Sequence, residues 1–154
     1  MRDVRLLTAP FDPNAEIDPF ARAHPQAGAI ASFVGKVRPE AGSDDAVEAL
    51  ELSHYPPLTL PGMEALADAA LRRWPLLGLL VLHRTGLLYP GEPIVLVSAL
   101  SSHRRAAFEA TDFVMDHLKS ESWFWKREKR GGQWRWIEPR DEDRADLSRW
   151  QVGP

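Results

Sequence analysis

The chain predicts an α+β domain: stretches with strand and helix patterns are mixed along it, two apolar runs are separated by a turn, and a glycine-centred hairpin falls near the end. Only part of the order has the strand–helix–strand character of a parallel sheet. At 154 residues the chain has the size of one ordinary domain, and a single domain over 1–154 is expected. Hydrophobic residues at 44% and charged residues at 27% are globular values. No apolar run approaches the roughly 18 residues that a membrane span requires. The first residues carry charge among their apolar positions and lack the core of a secretion signal, so a cytoplasmic location is expected.

Residues 4–8 read as a first strand, ended by Pro10 and Asp12-Pro13 before a short helix over 15–23. After the break at His24-Pro25, residues 28–37 are rich in β-branched and small side chains and form a strand. Gly35 within it marks a bulge or a close approach of another backbone, and Arg38 leaves its end with a free guanidinium. A polar loop over 40–45 precedes an alternating strand over 47–55, where His54 shares the face of Leu50 and Leu52 and is expected to be a hydrogen-bonded core histidine. Pro56-Pro57 stops that strand. Pro61 then opens a helix whose apolar face is Met63, Leu66, Ala67, Ala70, Leu71 and Trp74. Residues 79–84 and 93–100 are buried antiparallel strands with a turn at Tyr89-Pro90-Gly91-Glu92. Residues 123–128 and 133–137 flank Gly131-Gly132 as a hairpin, and a last helix is expected over 141–150.

Between these lies the helix on which the functional residues converge. Ser101 or Ser102 suits an N-cap, and Ala107, Ala110, Val114 and Leu118 draw one apolar stripe. Phe108, Met115 and Lys119 follow a second line, which puts Lys119 at the boundary between the core and solvent, where partial desolvation would suit it to catalysis. His103-Arg104-Arg105 stand at the start of this helix, and Trp123-Phe124-Trp125-Lys126-Arg127-Glu128 follow its end. Cations beside large aromatics suit an anionic substrate with a planar ring. On one straight helix Arg104 and Lys119 are roughly 22 Å apart, so one small ligand reaches both only if a second copy of the chain contributes one of them.

Charge and missing residue types narrow the chemistry. The net charge is −3, yet residues 119–140 hold seven basic side chains against three acidic ones, a local field suited to a phosphorylated small molecule or an acidic peptide tail. The chain has no cysteine, which removes disulfides, thiolate ligands and thiol nucleophiles; any sulfur must come with a partner. Its five histidines show no HExxH pattern, and the glycine-rich phosphate loop, the nucleophile elbow and the dinucleotide fingerprint are missing, so no metal and no cofactor is expected.

Several motifs occur in order over nearly the whole chain: residues 28–38 (GAIASFVGKVR), 50–56 (LELSHYP), 83–86 (HRTG), 102–104 (SHR), 108–110 (FEA), 115–119 (MDHLK) and 124–128 (FWKRE). Together they resemble the large, catalytic subunit of molybdopterin synthase. The resemblance implies an α/β-hammerhead fold with an additional antiparallel β subdomain, and a homodimer within a heterotetramer, each large subunit holding a small ubiquitin-like sulfur carrier. It further implies that the carrier's C-terminal Gly-Gly thiocarboxylate delivers sulfur to cyclic pyranopterin monophosphate, and that two transfers build the dithiolene. By the same resemblance Lys119 and Lys126 are the catalytic lysines. Arg38, His103 and Arg104 hold the phosphate and pterin, the last two from the neighbouring subunit, while Phe33 and Met115 line the tunnel. The chain departs from the family pattern at Pro57-Leu58 and at Trp123, which puts local loop shape in question.

A second reading is a single-stranded nucleic-acid binding module, because Trp123, Trp125, Trp134 and Trp136 interleave with Lys126, Arg127, Lys129, Arg130 and Arg135. Against it stand the negative net charge and the same alternation's fit to a buried hairpin face.

Overall fold

The computed structural model describes residues 1–39, 46–120, 123–138 and 141–151; the loop expected over 40–45 lies outside them. In chain order the elements are β1 (Arg2–Leu7), α1 (Pro13–Arg22), β2 (Ala29–Lys36), β3 (Ala49–His54), α2 (Pro56–Arg73) and β4 (Leu76–Arg84). There follow β5 (Gly86–Leu88), β6 (Pro93–Ser101), α3 (Arg104–Ser120), β7 (Phe124–Arg130), β8 (Gln133–Ile137), α4 (Asp141–Ser148) and a 3₁₀ turn, Arg149–Gln151. The class is the expected α+β, with the hairpin strands built into an additional antiparallel sheet.

The first sheet has the order β1-β4-β6-β2, with β1 parallel to β4 and the other pairs antiparallel. It is covered on both faces. Leu79, Val81, Val95, Val97 and Ala99 meet Met63, Leu66, Ala67 and Ala70 of α2 and Ala110, Val114 and Leu118 of α3. On the reverse face Leu80, Leu82 and Leu96 meet Phe11 with Ile17 and Phe20 of α1. Burial from both sides is why β4 and β6 are continuously apolar instead of alternating. The second sheet, β5-β3-β7-β8, is wholly antiparallel and lays Leu50, Leu52 and Leu88 over Val37 and Val47.

Two local expectations are corrected. Pro56 and Pro57 do end the strand, but they also form the first turn of α2, which therefore starts five residues before Pro61. Proline is tolerated there because the first amides of a helix have no intrahelical acceptor to lose. The connection between β4 and β6 contains β5, which leaves the first sheet to pair with β3; Gly86, at φ +90°, makes the turn that carries the chain across. The bulge foreseen at Gly35 is found, with a register shift between Gly35 and Lys36. A Cβ at Gly35 would lie 2.8 Å from Val95 Cγ1. His54 is only half-buried and holds no hydrogen bond among the described residues; the buried, hydrogen-bonded histidine beside these strands is His83.

At the end of the chain α4 and the 3₁₀ turn dock on α3. The Trp150 ring stands edge-on to Trp74 at 5.7 Å and to Phe113 at 5.5 Å. Its Nε1 donates to Asp116 Oδ2 at 2.6 Å, while Arg149 bonds Asp112 and Asp116. The Arg73 guanidinium lies over the Trp74, Phe113 and Trp150 rings.

Candidate functional site

Among the described residues strand β2 is an edge strand, paired only with β6, and the cations expected to bind substrate gather at its two ends. Where β2 finishes, Lys36, Val37 and Arg38 line a cleft with Val47, Leu50, Ile94, Lys126 and Glu128. The register of β7 explains why Lys126 belongs there: it pairs with Leu52 on one side and Ile137 on the other. Cross-strand partners share a face, so Lys126 and Glu128 stand on the side of Leu50 and Leu52 that covers the cleft. Arg38 is exposed and holds no hydrogen bond or ion pair among the described residues. Glu128 pairs with Arg130 at 2.8 Å and brings a carboxylate to the cleft wall.

Beside this cleft His83 stacks on Phe124, ring centroids 3.9 Å apart and 15° from parallel. Its Nδ1 lies 2.8 Å from the Arg84 carbonyl. A carbonyl only accepts, so Nδ1 carries the proton and Nε2 is left as the acceptor of a neutral ring. Burial pushes the His83 pKa down to about 4, and the nearby charge of Lys126 acts in the same direction. The cleft itself is lined by cations over the apolar side chains of Val37, Val47, Leu50 and Ile94, with the neutral His83 buried near Lys126.

Where β2 begins, a second, shallow concavity is lined by Gly28, Ala29, Ser102, His103, Arg104 and Arg105. It forms because Gly28 lies against the turn into α3: its amide donates to the Ser101 carbonyl at 3.0 Å, and a Cβ there would come within 2.3 Å of Ser102 O. The Ser101 hydroxyl donates to the His103 carbonyl. His103, Arg104 and Arg105 are exposed at the N-terminus of a 17-residue helix, where free amides and the positive end of the dipole add to their charge. The two concavities are separated by the length of β2, about 23 Å for eight residues.

The structure thus brings Arg38 together with Lys126, and His103 together with Arg104, but holds the two pairs apart within one chain. Lys119 stands in the last turn of α3, exposed and outside the lining of either concavity. It is at the same end of the first sheet as Lys126, because the chain passes from α3 into Phe124, which stacks on His83 next to Val95. Lys119 is open to solvent, not half-covered. Phe33, 39% exposed, lies on β2 opposite Val97, while Met115 is packed in the helix–sheet core. Lys36 and His83 were not singled out as site residues from sequence. Lys36 could have been found from its two-residue spacing to Arg38; nothing in the pattern around His83 announces the Phe124 stack.

The tryptophans do not form one stacking platform. Trp123 packs into the core, whereas Trp125 and Trp136 are exposed rather than on a buried hairpin face, and the Arg127 guanidinium lies over the Trp134 and Trp136 rings while bonding Glu51 at 2.8 Å.

Cations gathered in two concavities at either end of one edge strand, on a two-sheet α+β scaffold, mark a protein suited to an anionic ligand. Comparison with known proteins makes this specific. The family profile described as MoaE protein matches residues 6–121. The molybdopterin synthase catalytic subunit of Ralstonia nicotianae is 43% identical over 152 residues, covering 99% of this chain and 86% of that one. The solved molybdopterin biosynthesis MoaE protein from Burkholderia ambifaria superposes with a TM-score of 0.83 at 42% identity, covering 99% of this chain and 100% of that one. The same fold, at 19% identity and a TM-score of 0.74, occurs in a protein–protein complex of subunits 1 and 2 of the molybdopterin-converting factor from Helicobacter pylori, with 89% of this chain and 91% of that one covered. The chain belongs to the MoaE family, the catalytic subunits of molybdopterin synthase. It is a sulfur-transferring enzyme of molybdenum cofactor biosynthesis, and a nucleic-acid role finds no support.

Proposed function

We propose that the chain, working as a homodimer within a cytoplasmic heterotetramer, transfers sulfur from the C-terminal thiocarboxylate of a small ubiquitin-like Gly-Gly carrier to cyclic pyranopterin monophosphate. The single observation that carries this reading is the collection of cations at both ends of an unpaired edge strand. If two copies add their β2 edges to each other antiparallel about a two-fold axis, the start of one strand comes beside the end of the other. His103, Arg104 and Arg105 of one copy then face Arg38, Lys36 and Lys126 of its partner, which closes the gap that no single chain spans. The exposed apolar side chains of Ile30 and Phe33 on β2, 51% and 39% open, supply the surface such a contact would bury.

In this arrangement Arg38, His103 and Arg104 neutralise and orient the substrate phosphate, with arginine suited to bidentate contact. The pterin ring lies against the apolar side chains of the cleft, with Phe33 and Met115 along the carrier's path. The thiocarboxylate sulfur attacks the pyran side chain. This joins carrier and substrate as a thioester, whose acyl–sulfur bond water hydrolyses to leave the sulfur on the substrate and release the carrier as its carboxylate; Lys119 and Lys126 assist the proton transfers and the opening of the cyclic phosphate. The absence of cysteine agrees with sulfur arriving on a partner.

The test is dithiolene formation from purified thiocarboxylated carrier and substrate. Lys119→Ala and Lys126→Ala should each lower the rate at least about 100-fold, the scale of a lost proton-transfer group. Near-normal turnover in both variants would remove the lysines from the chemistry and this reading with them.

A further inference from the structure

The segment that follows α3 is tied to the start of α2 by one buried hydroxyl and one glycine. Thr59, fully buried, donates from Oγ1 to the Trp123 carbonyl at 2.8 Å and accepts from the Tyr55 amide at 3.3 Å. That amide belongs to the N-cap residue of α2, which has no side-chain cap of its own. The hydroxyl is therefore satisfied in both directions. The indole of Trp123 lies flat against Gly62: a Cβ there would sit 2.5 Å from Cε2 and 2.6 Å from Nε1, closer than any real contact allows. Only glycine on this turn of α2 leaves room for the ring.

What the contact controls follows from chain order. Lys119 is in the last turn of α3, four residues before Trp123, and the last carbonyls of a helix have no intrahelical donors. Such a turn frays unless the chain beyond it is fixed. Leu118 anchors one side of the turn in the core, but Lys119 points to solvent and holds no ion pair among the described residues. Trp123 also leads directly into Phe124, the residue stacked on His83, and so into the strand that carries Lys126.

We infer that Trp123, clasped by Thr59 and Gly62, is a positioning residue that fixes the end of α3 and the start of β7, and thereby the geometry of Lys119 relative to Lys126. It packs against the core and lines neither concavity. The inference rests on the reading that both lysines serve the transfer, and it deepens that reading by naming what sets their spacing.

The experiment uses the intact subunit with thiocarboxylated carrier and cyclic pyranopterin monophosphate, and reads two quantities. Amide hydrogen exchange over residues 117–120 reports the clasp itself, whatever the lysines do. Thr59→Val and Gly62→Ala should each speed it about tenfold, Thr59→Ser should leave it as in the wild type, and Gly62→Ala should add nothing once Trp123→Ala has removed the ring. Steady-state rates should show kcat down about 10- to 100-fold, the loss an ångström of misplacement causes, with KM for both reactants within about twofold. Unchanged exchange in Thr59→Val and Gly62→Ala overturns the inference, as does a Gly62→Ala effect that persists in full without Trp123. Faster exchange with unchanged kcat overturns the positioning role while Lys119→Ala remains inactive. If Lys119→Ala is itself active, the catalytic reading fails while the exchange result still decides the clasp.

Discussion

His83 shows how one side chain records its surroundings. It is enclosed between the two sheets, stacked on Phe124 and bonded through Nδ1 to a carbonyl, and burial holds its pKa near 4 against 6.5 for an exposed ring. A histidine with a depressed folded-state pKa binds its proton more readily in the unfolded chain, so its contribution is fully present above about pH 6.5 and is lost as pH falls from there toward 4. The full shift corresponds to about 3 kcal/mol. His83→Phe keeps the stack and removes the titration. Urea denaturation at pH 7.5 and pH 4.5 should therefore show a smaller acid loss in the variant, by about 2 kcal/mol; equal losses would mean that the ring is not held neutral by burial. Nothing in the sequence around His83 indicates this, because the partner ring is 41 positions away and meets it only once two sheets are assembled. Arg38 and Arg104 were legible as cations at element ends and Lys126 as a cation within the hairpin strand, whereas Lys119 was expected half-covered and is open.

At the scale of elements, periodicity identified the long helices and the apolar strands, and the stripe Ala107, Ala110, Val114 and Leu118 is buried as its spacing requires. It did not identify β5, three residues too short to show a period, nor the start of α2, where two prolines satisfy both a strand end and a helix beginning. Strand β2 has the feature with most consequence: a free edge eight residues long with Ile30 open on it and Phe108 of α3 exposed as well, at 57%. Unprotected edges of this kind pair with other strands unless a charge or proline blocks them. In the proposed antiparallel pairing position 30 lies opposite the end of the other β2, so Ile30→Lys sets a charge near Lys36 of the partner subunit and should weaken self-association roughly 100-fold, moving the subunit toward monomer in sedimentation velocity. A variant that stays dimeric at the same concentration would show that the copies meet elsewhere.

The whole molecule separates the proposed binding groups by a length no side chain bridges, and this was already readable as a distance: fifteen positions of helix between Arg104 and Lys119. The sheet order that places both sets of cations along one exposed strand was not readable, because it depends on which strand ends at the edge. A site assembled from two copies has a quantitative signature. Arg104→Ala and Lys119→Ala subunits are each expected to be inactive alone, but unfolded and refolded together in equal amounts they should regain about a quarter of the wild-type sites, since half the dimers are mixed and each mixed dimer has one intact site. Recovery of no activity would place all the groups within one chain.

The docking of the C-terminal segment has a consequence for tolerance to change. Helix α4 is eight residues of mostly polar sequence, so its attachment is concentrated in Trp150 and its neighbour Arg149, whose ring and guanidinium reach Phe113, Asp112 and Asp116. Exposed positions of α4 such as Glu142 and Arg144 are therefore open to redesign as attachment points for labels, provided the indole in the turn that follows keeps its seat.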